Sequence, residues 1–168
     1  VIAQTAHFAG LTPETLYDAY LSSKDHSAMT AHALPATFVR PGVGQVAHGK
    51  EHDELLAFGF PGPDGQVNYF LTARILQLVP KKRIVLSWKN QAWTLAVDSA
   101  DVTDLDSTVV LTFKTNIEGA EIQLVQANVP DYKVAIPDSG EVGPLSTLVN
   151  THWNTLYWEP MRRFFQKG

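Results

Sequence analysis

Alternation of apolar and polar positions is clearest from Tyr69 to Lys89, YFLTARILQLVPKKRIVLSWK. Two runs rich in β-branched and aromatic residues flank Val79-Pro80-Lys81-Lys82, a pattern that predicts a β-hairpin. Pro80 has no N–H for a ladder, so the first strand stops there, and Lys81 and Lys82 keep the turn in water. Strand patterns also cover Val1–Phe8, Ala36–Val39, Glu54–Phe60, Ser107–Lys114 and Glu121–Val129. Turn residues at Pro61–Gly65 and Asn116–Ala120 separate them. Gly42–Glu54 and Val129–Gly143 read as loops, and Gln91–Asp106 shows no clear period.

Helices are predicted in three places. Thr12 caps a short helix with Pro13 at its first position, and Leu16, Tyr17, Tyr20 and Leu21 form its apolar side. Ser22–Thr30 predicts a second short helix, capped by Ser22 or Ser23. Pro144–Gln166 predicts a long one. At about 100° per residue, Leu145, Val149, His152, Trp153, Leu156, Pro160 and Phe164 share one face. Thr151, Asn154 and Arg162 fall opposite. Trp158 also falls opposite and Arg163 falls on the apolar side, so the stripe is imperfect. Pro160 inside the helix predicts a kink near Leu156–Trp158. The expected fold is α+β: a curved antiparallel sheet of about six strands, two short helices, and a long C-terminal helix over a cavity.

Composition narrows this picture. The 168 residues suit one domain spanning 1–168. A net charge of -4 and the lack of a basic run exclude general attraction to nucleic acid or anionic lipid. Without cysteine there are no disulfides, thiolate metal sites or cysteine nucleophiles. No run approaches the ~18 apolar residues of a membrane span, and Val1–Gly10 lacks the features of a signal peptide. The absent initiator Met suggests a trimmed chain, and a cytoplasmic location is expected.

Candidate chemistry is sparse. His48 and His52, with the acids that follow, are a dense group of ligand-type residues, but their Gly- and Lys-flanked setting reads as a solvated loop. Asp98, Asp101, Asp104 and Asp106 lack the glycine and terminal Glu of a calcium loop. Neither a metal nor a cofactor is expected. His152 is either an acid–base group facing a cavity or a core-edge histidine bonded to a backbone carbonyl. Tyr157, at the edge of the same face, can aim its hydroxyl into a cavity or out to water. Arg74 depends on an open choice. Either the Asn68, Phe70, Thr72, Arg74 set faces inward, or the Tyr69, Leu71, Ala73, Ile75 set does. The surface position is preferred for Arg74. Phe70, Trp88, Trp93, Trp153, Leu156 and Tyr157 are the candidate lining of a cavity.

Three segments carry a resemblance: Leu11–Leu21 (LTPETLYDAYL), Thr72–Trp88 (TARILQLVPKKRIVLSW) and His152–Phe165 (HWNTLYWEPMRRFF). The chain resembles the activator-of-heat-shock-protein-90-ATPase homologue family, within the START and birch-pollen-allergen superfamily of helix-grip domains. Ala73 stands where many relatives have Gly, and Gly42–Asp64 and Gln91–Asp106 are longer than usual. The resemblance implies a curved sheet gripping a long C-terminal helix around a hydrophobic cavity. It also implies three functions. The first is binding of a small hydrophobic or aromatic molecule. The second is a cyclase- or lyase-type enzyme using His152, Tyr157 or Arg74. The third is a co-chaperone acting through its surface, a role for which the eukaryotic activators use a further N-terminal domain. Oligomeric state stays open, a homodimer included.

Overall fold

The computed structural model describes residues 1–30, 35–90, 107–129, 133–135 and 140–166. It does not describe the side chains of Phe60, Phe70, Asn90, Val134 and Ala135. Trp93, the four aspartates from Asp98 to Asp106 and the Phe70 side chain therefore lie outside the described residues.

The first helices begin where local hydrogen bonding directs them. The Thr12 side chain accepts from the Thr15 N–H at 3.1 Å and opens α1 (Pro13–Leu21). Ser22 does the same for α2 (Ser23–Met29), accepting from the Asp25 N–H at 3.2 Å. β1 (Ile2–Ala9) precedes them. After them come β2 (Thr37–Arg40), β3 (Gly44–Val46), β4 (Glu54–Pro61), β5 (Val67–Val79), β6 (Arg83–Asn90), β7 (Ser107–Thr115) and β8 (Gly119–Ala127). These eight strands form one sheet in the order β1-β8-β7-β6-β5-β4-β2-β3. All its pairings are antiparallel.

Eight strands replace the expected six or so, and two of the predicted loops contain strands. β3 lies within Gly42–Glu54, and β9 (Lys133–Ala135), within Val129–Gly143, pairs with β10 (Val142–Pro144), which runs one residue past that segment. At three residues each, these strands are too short to carry a period-2 signal; backbone pairing alone defines them. The rest of the Gly42–Glu54 segment is bound to the sheet as well. His52 N–H donates to the Ile75 carbonyl at 2.8 Å and Ile75 N–H to the Asp53 carbonyl at 2.9 Å, beside a bulge between Ile75 and Gln77. Asp53 is buried and accepts from Arg40 Nε at 3.0 Å and Nη2 at 2.9 Å, and from the Lys50 N–H at 2.8 Å. His48 and His52 themselves are exposed.

The open question about β5 is decided by burial. Leu71, Ala73 and Ile75 are buried, whereas Arg74 is exposed and pairs across strands with Glu54 at 3.0 Å. The Leu71 set faces inward. Opposite that face lies the C-terminal helix, made of α3 (Leu145–His152), a π-helical stretch (Trp153–Trp158) and α4 (Glu159–Gln166).

The π stretch stands where a kink is predicted, and the cause is the same. Pro160 offers no N–H to the Leu156 carbonyl, so an α-helical ladder is broken here whatever the chain does. The wider turn instead brings the Glu159 N–H to the Asn154 carbonyl. One extra residue turns the following side chains by about 100°. Trp158 and Met161 are thereby buried and Arg163 is exposed, the reverse of the uniform-helix expectation for Trp158 and Arg163. Val149 and Trp153 are buried as the stripe predicts; Leu156 is only half-buried.

Candidate functional site

The helix–sheet junction holds an aromatic cluster. Trp88 faces inward two residues before the end of β6, and its indole stacks on Trp153 with centroids 4.8 Å apart. Trp153 stacks in turn on Trp158 at 5.3 Å. Tyr157 lies 4.9 Å from Trp153 and 5.8 Å from Phe58 of β4. The π turn makes this possible, because it sends Trp153, Tyr157 and Trp158 all toward the sheet.

The polar tips of Trp153, Trp158 and Tyr157 each have a partner from a distant element. Trp153 Nε1 donates to Gln126 Oε1 at 2.7 Å, and Gln126 Nε2 donates to Ser107 Oγ at 2.8 Å. Trp158 Nε1 donates to Gln4 Oε1 at 2.7 Å, while Gln4 Nε2 donates to the Asn150 carbonyl at 2.9 Å. Fully buried His26 places Nδ1 2.8 Å from the Tyr20 carbonyl and Nε2 3.1 Å from the Tyr157 hydroxyl. A carbonyl only accepts, so Nδ1 carries the proton; in the neutral ring Nε2 then accepts from Tyr157. Burial, and then the neighbouring Tyr20 phenol, push the Tyr157 pKa well above its ordinary value. Burial likewise raises Tyr20. Both phenols stay protonated, and neither serves as a base near neutral pH.

Between the cluster and α3 remains a cavity of about 20 Å³ walled by Phe58, Leu71, Trp88, Val149, His152, Trp153, Leu156 and Tyr157. That volume holds about one water. The wall brings together the predicted Trp88, His152, Trp153, Leu156 and Tyr157. Arg74 stands apart, on the outer face of the sheet with its Glu54 partner. Tyr157 contributes its ring, while its hydroxyl is engaged with His26. Two buried side-chain polar atoms have no hydrogen-bond partner among the described residues: the Tyr20 hydroxyl, behind Tyr157, and His152 Nδ1, in the cavity wall itself.

Sequence reasoning missed Phe58, Leu71, Val149, His26, Gln4 and Gln126 as site residues. Gln126 had a signal, since strand alternation sets it on the same face as Ile122 and Leu124. Leu71 and Val149 were placed on candidate inner faces without being assigned to the cavity. His26 had none, because the short α2 shows no apolar period.

Comparison with known proteins agrees with this architecture. The family described as Activator of Hsp90 ATPase homolog 1-like protein matches residues 11–141. The chain belongs to this family. No match was found among curated proteins. Solved structures similar to this Hsp90-ATPase-activator-homologue-like chain include an Hsp90 activator from Plasmodium falciparum. It is 16% identical, with a TM-score of 0.59, over 98% of this chain and 95% of that one. A Cytophaga hutchinsonii protein has a TM-score of 0.63 at 14% identity, over 99% of this chain and 95% of that one. A Mesorhizobium loti protein has a TM-score of 0.59 at 14% identity, over 99% and 96% of the two chains. At these identities the likeness is one of fold, and the fold is the helix-grip class. Among the described residues of this family member, no helix is long and apolar enough to cross a membrane.

The setting of His152 gives a pH-dependent stability. Desolvation lowers its pKa below the usual 6.5. The unfolded chain therefore takes up this proton first as pH falls, and protonation favours unfolding. The His152 contribution is complete above its unfolded pKa and is lost as pH drops from there toward the lower folded value. Urea midpoints measured between about pH 7.5 and about pH 5.5 should fall, and His152→Gln should remove part of that slope. An unchanged slope in the variant would assign the effect to other groups.

Proposed function

We propose that this protein binds a small planar hydrophobic molecule carrying one hydroxyl or carbonyl group, at the junction of β4, β5 and β6 with the C-terminal helix. One observation carries the reading. A wall otherwise made of aromatic and aliphatic side chains contains His152 Nδ1, a buried polar atom with no hydrogen-bond partner among the described residues. Such a site takes its affinity from apolar burial and its orientation from one polar contact. The present cavity is a seed rather than a finished pocket, so binding requires the half-buried Leu156 and His152 to move outward. Trp88, Trp153 and Tyr157 form the fixed wall. Acid–base catalysis is less well supported, because it needs at least two polar groups converging on one point. Tyr157 spends its hydroxyl on His26, and Arg74 lies on the opposite face of the sheet.

A second reading is surface-acting assistance to a chaperone ATPase. Its support is the close filling of the helix–sheet space, together with the family's description. One titration separates the two. Under the binding reading, 2-naphthol quenches tryptophan emission saturably and displaces an environment-sensitive naphthalene dye. An unmade buried hydrogen bond costs about 1–3 kcal/mol. His152→Leu should therefore abolish a preference of about tenfold for 2-naphthol over naphthalene. If the native protein ignores both compounds, the surface-acting reading takes its place.

A further inference from the structure

A second cleft lies away from the aromatic cavity, where the end of β1 meets α4 and the β7–β8 turn. It encloses about 270 Å³. Phe8, Leu11 and Phe165 give it apolar surface; His7, Glu118 and Arg162 give it charge and hydrogen-bonding capacity. The volume is close to the lower end of small-molecule sites, about 300 Å³.

Arg162 is held in place without being used up. Its Nε donates to the His7 carbonyl at 3.2 Å, and its guanidinium carbon lies 5.6 Å from the Phe8 ring centroid. These two contacts fix the plane of the fork and consume one of its five N–H donors. Among the described residues both Nη groups are left over. The ion pairs among the described residues are Arg40–Asp53, Arg74–Glu54 and Lys81–Asp18, so no carboxylate among those residues occupies the Arg162 fork. A half-buried, pre-oriented guanidinium with open Nη groups matches a planar carboxylate.

The rim adds selectivity. His7 Nδ1 lies 3.2 Å from Asn116 Nδ2 and accepts from it, so the neutral ring carries its proton on Nε2, a second donor. Glu118 is exposed, and its charge at the rim disfavours a dianion over a monoanion.

We propose that this cleft binds a small monocarboxylate with an apolar tail, the carboxylate on the Nη groups of Arg162 and the tail against Leu11 and Phe165. The site is independent of the aromatic cavity. The test is an amide chemical-shift titration of the full chain with hexanoate, with hexanol as the uncharged comparator. Hexanoate should shift Ala9, Leu11 and Phe165 saturably and bind about tenfold or more tightly than hexanol. Arg162→Gln should weaken hexanoate by a similar factor with the far-ultraviolet spectrum unchanged, and Arg162→Lys should restore only part of it. If Arg162→Gln fails to fold, the hexanoate–hexanol ratio on the native protein and the Lys variant decide. Equal binding of acid and alcohol, unaltered hexanoate affinity in the folded variants, no shifts, or shifts centred on Trp88 and Trp153 would each overturn the proposal.

Discussion

Replacing Trp153 by alanine is expected to destabilise the protein by about 3–5 kcal/mol, the usual range for truncating a buried aromatic. The side chain is buried, stacked between Trp88 and Trp158, and hydrogen-bonded to Gln126. Truncation removes both stacking partners' contacts and leaves Gln126 Oε1 without its donor. Trp153→Phe separates the two losses. It keeps much of the ring contact and should cost about 1–3 kcal/mol, the penalty for an unsatisfied buried acceptor plus the lost edge of the indole. Urea unfolding at fixed pH measures both. A loss under about 1 kcal/mol for the alanine variant, the scale of a surface substitution, would place this helix face away from the core.

A loss of similar size, about 3–5 kcal/mol, is expected for His26→Ala. His26 is fully buried, and its ring bridges the Tyr20 carbonyl in α1 to the Tyr157 hydroxyl in the π turn. Alanine leaves a cavity and strips both groups of this partner inside the core. Tyr157→Phe removes only one of these hydrogen bonds and should cost about 1–3 kcal/mol. Tyrosine absorbance titration gives a second readout, because an opened core lets the Tyr157 phenol ionise at lower pH than in the native protein. If His26→Ala melts with the native protein, the His26–Tyr157 link contributes nothing to stability.

The two variants bear on how this protein is legible. Trp153 was identifiable in the sequence because its neighbours Val149 and Leu145 repeat at helical spacing, and periodicity is a property of the local chain. His26 was not, because its importance comes from Tyr157, which is 131 positions away. Gln126 stands between these cases. Its inward register could be read from Ile122 and Leu124, but its partners on β7 and the C-terminal helix could not.

What the sequence determined by itself was the set of elements whose causes are local. Thr12 and Ser22 cap helices through hydrogen bonds three residues long, and Pro80 ends β5 by lacking a donor. The outline of sheet plus closing helix follows from those patterns. Tertiary structure decided the rest. It chose the inward face of β5, where both faces are mixed in polarity and only packing against the helix distinguishes Leu71 from Arg74. It recruited the Gly42–Glu54 segment to the sheet through backbone bonds that leave no trace in side-chain pattern. At Pro160 the sequence marked the defect, but the choice between a kink and a π turn belonged to the fold. Burying Trp158 and Met161 in the core favours the extra residue in the turn, and that same choice fills most of the cavity with indole and phenol rings.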